Sequence, residues 1–145
     1  MDKDQTTAFI KVMDNKIFNL IQKKKRLYFE VKNEDLLEVT AHLFKTMGCR
    51  LSTATAMETY RAIEVLYQFS HDISGSYFCP RVVMTNKKKP VMHSITPIVR
   101  GAEWIEREMF EFWGITFEGH PRKEPLLSRN HPKGLKQPLR FGRRT

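Results

Sequence analysis

The segment TPIVRGAEWIEREMFEFWG (residues 96–114) carries the clearest helical pattern in the chain. Thr96 is a favourable N-cap, Pro97 suits the first helical position, and Gly114 is a typical helix-ending residue. Apolar residues recur between them at alternating intervals of four and three, the spacing of one helical face: Ile98, Ala102, Ile105, Met109 and Phe112. The pattern predicts a helix that begins at Thr96, ends at Gly114 and packs this stripe on a sheet.

Three aromatic residues of this helix, Trp104, Phe110 and Trp113, fall outside the stripe. Two interpretations stay open. The helix has a wide buried face between the sheet and the following chain, or it presents a second apolar surface to another protein, because aromatic residues are enriched at interfaces. The neighbouring carboxylates do not predict catalysis, since Glu106 and Glu108 are two positions apart and project from nearly opposite sides of a helix.

The segments before this helix predict a mixed fold. An amphipathic helix is predicted over residues 7–22, where Phe9, Met13, Ile17, Leu20 and Ile21 follow helical spacing. Residues 27–31 resemble a short strand, and a second helix should begin with Asn33 as its N-cap and end at Gly48. Extended segments are predicted over residues 49–57, 63–69 and 77–85, with Pro80 at a sheet edge or a bulge.

This order of elements is typical of an α+β fold with a mostly antiparallel sheet and helices packed on one face. We expect a single domain over residues 1–121. From residue 122 to residue 145 the proline and basic content is high and the periodicity disappears, so this segment cannot form a core alone and is either disordered or laid on another surface. We expect an extended basic tail that docks on a partner subunit.

Charged residues are unevenly distributed along the sequence, and their distribution is compatible with several classes of function. The formal net charge is +9, yet residues 101–120 carry one arginine and five glutamates, and residues 121–145 carry eight basic residues and one acidic residue. Basic charge favours nucleic acid, anionic lipid or an acidic protein partner. A nucleic-acid-binding module therefore remains an alternative, although the chain has no recognition motif of that class and two short lysine runs are typical of a solvated surface.

The chain lacks the patterns of the common catalytic and metal sites. It has two cysteines and no CxxC, so we expect no iron–sulfur cluster or four-cysteine zinc site in this chain. Its histidines show no metal-binding spacing, and there is no glycine-rich phosphate loop or GxSxG motif. An enzyme acting alone is thus the least favoured class, and we expect no catalytic residue, bound cofactor or metal.

Four short stretches together resemble one known signature: SIT (residues 94–96), AEWIERE (102–108), FWGI (112–115) and FEGHP (117–121). They are similar to the 30-kDa subunit family of respiratory complex I, which includes the C-type subunit of NADH dehydrogenase and is shared with energy-converting membrane-bound [NiFe] hydrogenases. Glu111 and Trp113 replace the aspartate and phenylalanine that are usual there, and Phe141-Gly142 replaces a terminal Lys-Asp. The sequence looks most like the small D-type subunit of the Ech hydrogenases.

The resemblance implies a non-catalytic structural subunit in the peripheral arm of an ion-translocating [NiFe] hydrogenase. The equivalent subunit of an NADH:quinone oxidoreductase is the alternative. The implied partners are a hydrogenase-type large subunit, similar to the 49-kDa subunit of complex I, and iron–sulfur subunits, with the membrane arm an indirect partner. The [NiFe] centre and the clusters would be in those partners, and the complex would lie on the cytoplasmic side of the membrane.

The same resemblance gives the residues of the family motif and of the expected interface. The central three, Glu106, Arg107 and Glu108, are expected to form ion pairs that fix helix and tail. Arg140 is expected to pair with acidic groups of a partner. The complete set is Trp104, Glu106, Arg107, Glu108, Phe110, Trp113, Gly114, Phe117, Gly119, His120, Pro121, Pro138, Leu139 and Arg140.

Overall fold

The computed structural model describes the backbone of residues 2–121 and the side chains of residues 6–121. A 3-10 turn (Asn33–Asp35) precedes the second helix, a π turn (His42–Thr46) follows it, and a further 3-10 turn (Arg100–Ala102) precedes the third. The helices and strands of this part of the chain are α1 Asp2–Val12, β1 Ile17–Lys23, β2 Arg26–Val31, α2 Leu36–Ala41, β3 Arg50–Glu58, β4 Ile63–His71, β5 Ser76–Met84, β6 Val91–His93, α3 Glu103–Trp113 and β7 Thr116–Glu118.

Five of the strands form one sheet in the order β1-β2-β5-β4-β3. Its neighbours are antiparallel except for β2 and β5, which run parallel. The short strands β6 and β7, which the sequence patterns did not predict, pair in parallel beside it. The predicted fold class, α+β with a mostly antiparallel sheet, is confirmed.

The core lies on one face of this sheet. Alternate residues of β4, from Ile63 to Phe69, point to that face and are fully buried. The ring of Phe9 in α1 lies 5.1 Å from the ring of Phe29 and 5.0 Å from that of Phe78, so α1 covers β2 and β5. Buried residues of α2 and α3 belong to the same cluster, which confirms that the helices pack on one face.

The N-terminal helix is shorter than the sequence predicts. It ends at Val12, and residues 17–23 form strand β1, so the prediction of a helix through residue 22 is wrong in its second half. Phe9, Met13 and Ile17 are all buried at four-residue intervals, although a turn separates the last from the helix. Pairing with β2 satisfies the backbone of this segment, and the apolar spacing alone does not reveal it.

Pro80 lies in the central strand of the sheet, which contradicts the predicted edge or bulge position. The register between β4 and β5 is the same on both sides of it, with Leu66 opposite Arg81 and Phe69 opposite Phe78. Pro80 is itself buried. The burial of its apolar ring offsets the ladder hydrogen bond that its missing N–H cannot make.

The predicted second helix is present as a 3-10 turn, helix α2 and a π turn, and Gly48 follows it with a φ of 70°. Asn33 is not its N-cap, since that position belongs to Lys32. The Asn33 side chain instead accepts a hydrogen bond of 2.6 Å from the backbone N–H of His93, which joins this helix to β6.

Candidate functional site

Helix α3 begins later than its sequence suggests. Its first residue is Glu103 and its N-cap is Ala102, so the predicted start at Thr96 is wrong. Thr96 and Pro97 lie in a turn that precedes the helix. The predicted end is correct: Gly114 has a φ of 75°, and its N–H donates to the carbonyl oxygen of Phe110 at 3.0 Å.

The buried face of α3 is rotated relative to the predicted apolar stripe. Ala102 and Met109 are buried as predicted, whereas Ile105 and Phe112 are only half-buried. Between the first two lies Glu106, which has no exposed surface. The helix therefore turns a carboxylate towards the sheet in the middle of an apolar stripe.

Four donors surround the carboxylate of Glu106. The hydroxyls of Ser94 and Thr96 donate to Oε1 at 2.5 and 2.7 Å. The hydroxyl of Tyr67 and the backbone N–H of Ile95 donate to Oε2 at 2.7 and 3.0 Å. These bonds tie α3 to strand β4 and to the turn that precedes the helix.

This arrangement is closed to chemistry with an external molecule. A carboxylate accepts about four hydrogen bonds, and all of those positions are occupied by groups of the chain itself. Burial, together with the adjacent Glu106 carboxylate, holds the pKa of Tyr67 well above its usual value, so the phenol remains a donor. The cluster is therefore a structural clamp, because a buried carboxylate is tolerated only when donors compensate its lost hydration.

His120 connects this clamp to the end of the described chain. Its Nε2 lies 3.0 Å from the carbonyl oxygen of Glu103, which can only accept, so Nε2 carries a hydrogen. The same atom is 4.0 Å from Glu106 Oε1. Gly119, with a φ of 83°, allows the tight turn that brings the buried imidazole back onto α3.

The outer side of α3 presents the motif tryptophan. Trp104 is 60% exposed, and the guanidinium carbon of Arg107 lies 5.3 Å from its ring centroid, within the range of a cation–π interaction. Phe110 and Trp113 pack against the core, as the first interpretation of the aromatic residues expects. Trp104 is left exposed, and its contact with another protein stays a prediction. Glu108 is exposed and has no ion pair within residues 6–121.

Two other residues singled out from the sequence follow this helix in the chain. Phe117 is buried in β7, opposite Met92 of β6, while Pro121 is exposed. Pro138, Leu139 and Arg140, like the whole predicted tail 122–145, lie outside the described residues. Their roles stay predictions.

Sequence reasoning missed the partners of the buried carboxylate. Ser94 and Ile95 stood out only as part of the family motif, Thr96 also as an expected N-cap, and Tyr67 only as a residue of a strand. The hydroxyl groups of Ser94, Thr96 and Tyr67 were the available signal. A buried hydroxyl requires a partner, and a nearby carboxylate can supply it.

Within the described part of the chain there is no group of three or more histidine, cysteine and acidic side chains placed to hold a metal ion. None of the helices found there is long and apolar enough to cross a membrane.

One protein-family model matches most of the sequence. The model of the family described as the 30-kDa subunit of the respiratory-chain NADH dehydrogenase matches residues 29–142. The chain belongs to this 30-kDa subunit family. The residues that carried the resemblance, from Ser94 to Pro121, lie inside the matched range, and the resemblance is confirmed.

Curated relatives of this 30-kDa-type subunit match over shorter segments. One is the C/D subunit of the NADH-quinone oxidoreductase of Bacteroides thetaiotaomicron, 32% identical over 75 residues that cover 52% of this chain and 14% of the relative. Another is the J subunit of the NAD(P)H-quinone oxidoreductase of Parasynechococcus marenigrum, 43% identical over 60 residues that cover 41% of this chain and 31% of the relative. The matched segments thus span less than a third of either relative.

Two solved structures share the fold of this 30-kDa-type subunit. A trypsin-resistant fragment of Nqo5 superposes with a TM-score of 0.66 at 24% identity, covering 84% of this chain and 99% of the fragment. A chain of an archaeal respiratory membrane complex, the membrane-bound sulfane sulfur reductase, superposes with a TM-score of 0.73 at 18% identity, covering 94% and 78%. At these identities the likeness concerns the fold.

Proposed function

We propose that this chain is a non-catalytic structural subunit in the peripheral arm of a membrane-bound oxidoreductase complex. The observation that carries the proposal is the state of Glu106, which is fully buried and fully occupied by donors of its own chain. The central carboxylate of the family motif thus serves to fix a helix. Such a carboxylate has no free position for a substrate or a metal.

What the clamp fixes is the outer surface of α3. Trp104 is exposed there, and its ring is restrained by the guanidinium of Arg107. A large aromatic side chain that is already ordered loses little conformational entropy on binding, and tryptophan and arginine are the residues most enriched at energetic centres of interfaces. This surface is our candidate for the contact with the large subunit of the complex.

The remaining features of the proposed assembly rest on the resemblance described for the sequence. The partners are a hydrogenase-type large subunit and iron–sulfur subunits, with the membrane arm an indirect partner. Any [NiFe] centre and iron–sulfur clusters reside in those partners, and this chain binds no cofactor. The basic tail 122–145 adds contacts with acidic groups of a partner, and the complex lies on the cytoplasmic side of the membrane.

Two kinds of complex fit this role. The resemblance to the small D-type subunit of the Ech hydrogenases favours an ion-translocating [NiFe] hydrogenase. The names of the curated relatives, which are subunits of quinone oxidoreductases, favour a quinone-linked complex instead. We keep both as candidates because one purification separates them.

The test of the assembly is purification of the tagged full chain from its own membranes in mild detergent. Mass spectrometry of the co-purified chains and metal analysis of the sample are the measurements. Nickel with a large subunit identifies the hydrogenase, and flavin with quinone-linked subunits identifies the NADH-type complex. Recovery of the chain alone, or with RNA, contradicts the proposal.

The test of the surface is Trp104→Ala, with Tyr60→Ala as the matched control. Tyr60 is also an exposed aromatic residue, 95% exposed, but it lies in the turn between β3 and β4. We expect Trp104→Ala to reduce the recovered large subunit about tenfold or more, as truncation at an interface centre does, without changing the melting temperature of the isolated chain. Equal recovery with both variants would show that the contact lies elsewhere.

A further inference from the structure

A small cavity lies on the face of the five-stranded sheet that points away from the core. Its volume is about 200 Å³, and all five strands contribute to its walls. A cavity of this size is smaller than the roughly 300–1,000 Å³ of small-molecule sites, so it fits a single amino-acid side chain. We call it the open-face pocket. Its walls include Ile21 of β1, Tyr28 of β2, Met57 of β3, Glu64 and Leu66 of β4, and Arg81 of β5.

A β-bulge in β1 brings Ile21 to this pocket. Phe18 pairs with Glu30 and Ile21 pairs with Tyr28, so two residues three positions apart lie on the same face of the sheet. Regular alternation would place them on opposite faces. Asn19, inside the bulge, has a φ of 52°, and its side chain donates to Glu30 at 3.1 Å. The bulge therefore re-aims an apolar side chain, a role that bulges have beside functional sites.

The charges at the open-face pocket are unbalanced. Nη2 of Arg81 donates at 3.0 Å to Oε1 of Glu30, which also accepts from Asn19. Nε of Arg81, in contrast, lies 3.6 Å from Oε1 of Glu64, too far for a hydrogen bond. One guanidinium thus faces two carboxylates. Glu64 accepts no hydrogen bond within residues 6–121, although its side chain is only 18% exposed, and a carboxylate so enclosed requires a donor.

We infer that the open-face pocket binds a lysine side chain of another protein chain. The ammonium group donates to the carboxylate of Glu64 and balances the excess negative charge. The four-carbon stem lies against Ile21, Met57 and Leu66, as lysine stems do along apolar surface. Ile21 and Met57 are 51% and 44% exposed without such an occupant, and the stem covers them.

Lysine matches this pocket better than arginine does. A guanidinium binds a carboxylate best through two parallel hydrogen bonds, but Arg81 already lies beside one oxygen of Glu64. The position that is left suits a compact ammonium group, which binds as a point charge. Tyr28 adds an aromatic wall, and the face of such a ring attracts a cation.

The position of the pocket favours another chain as the source of the lysine. The described chain ends where His120 packs on α3, and α3 covers the core face of the sheet. The open-face pocket lies on the opposite face. The inference rests on the proposed function in one respect, that this chain has neighbours in a complex.

Methyl NMR of the labelled full chain tests the pocket without any partner. The probe is Nα-acetyl-lysine methylamide, and acetyl-norleucine methylamide keeps the stem without the charge. We expect saturable shifts of the Ile21, Met57 and Leu66 methyl resonances, with the lysine probe binding about five- to tenfold more tightly, between the effects of an exposed ion pair and a hydrogen bond to a buried charge.

Glu64→Gln should abolish the difference between the two probes. Glu34→Gln is the matched control, because it removes the same charge from an exposed residue of the 3-10 turn before α2 and should leave the difference unchanged. Equal binding of both probes to the unmodified chain overturns the inference. Nuclear Overhauser contacts between these methyl groups and lysines of the chain's own residues 122–145 also overturn it, because the occupant is then the chain itself.

Carbodiimide cross-linking of the complex purified from membranes tests the partner. The reagent joins the Glu64 carboxylate to a lysine nitrogen as an amide and takes up the water that is lost. We expect mass spectrometry to find Glu64 linked to a lysine of another chain, and the link to be absent in Glu64→Gln. An intact complex without this link overturns the inference and leaves the proposed function standing, whereas recovery of the chain alone overturns both.

Discussion

The phenol of Tyr67 donates a hydrogen bond of 2.7 Å to Oε2 of Glu106, across the boundary between β4 and α3. Both side chains are fully buried. Tyr67 stands in the row of apolar residues that β4 turns to the core, so this bond is where the polar clamp meets the hydrophobic core. The position of α3 on the sheet is therefore set by one directional contact in addition to apolar packing.

Tyr67→Phe should measure the strength of that contact. The ring remains, but Oε2 loses one of its two donors, and a hydrogen bond to a charged group contributes about 1.5–3 kcal/mol. We expect the free energy of unfolding in urea to fall by that amount. Tyr60→Phe removes the same hydroxyl from an exposed residue and should change it by less than about 0.5 kcal/mol.

Glu106→Gln should show how much the second carboxylate oxygen and the charge contribute, because the side chain keeps its size. A side-chain amide has one acceptor oxygen, so the donors that now share two oxygens cannot all be satisfied, and each unsatisfied buried group costs about 1–3 kcal/mol. We expect a loss of unfolding free energy in that range, measured by urea denaturation. Glu108→Gln on the exposed side of α3 is the control, and equal losses in the two variants would contradict a specific role for Glu106.

A helix or strand was predictable where its own residues show the apolar spacing of that element. The second helix and strands β2, β3, β4 and β5 emerged from local spacing and from Gly48. The predicted first helix is too long because Met13 and Ile17, which lie in and after the turn that ends the helix, share the core with Phe9 and continue its helical spacing. Asp14 and Asn15, both good turn formers, were the local signal that apolar spacing masked.

The clamp was not predictable by the same reasoning. A buried helix face is predicted from the spacing of apolar residues alone, so the prediction cannot include a carboxylate such as Glu106. Its four donors come from β4 and from the turn before α3, and sequence spacing does not bring these segments together. Burial of charge depends on tertiary partners, whereas helix and strand periodicity depends on the local chain.

Gly114→Ala should destabilise the end of α3. Gly114 has a φ of 75°, and a side chain in this left-handed conformation costs about 1–2 kcal/mol. Gly101→Ala is the control, because Gly101 has no positive φ and an added Cβ meets no atom within 4 Å. Thermal unfolding should show a lower melting temperature for Gly114→Ala alone, and equal shifts would indicate that backbone conformation is not the cause.

The two thiols predict how stability changes at alkaline pH. Burial raises the pKa of Cys49, with a smaller contribution from Asp72, and that of Cys79, each to about 11, and both side chains are almost fully buried. In the unfolded chain a thiol titrates near about 8.5. Both thiols should therefore resist iodoacetamide at pH 8.5 in the native protein and react readily in urea.

Above the unfolded pKa the unfolded chain loses these protons while the folded chain retains them. The stabilisation is thus complete below about pH 8.5 and is lost as the pH rises through the folded value of about 11. We expect the unfolding free energy to decline from pH 8.5 to 10.5, and to decline less steeply in Cys79→Ala. Rapid alkylation of the native protein, or the same slope in the variant, would mean that the Cys79 thiol is not protected by the core.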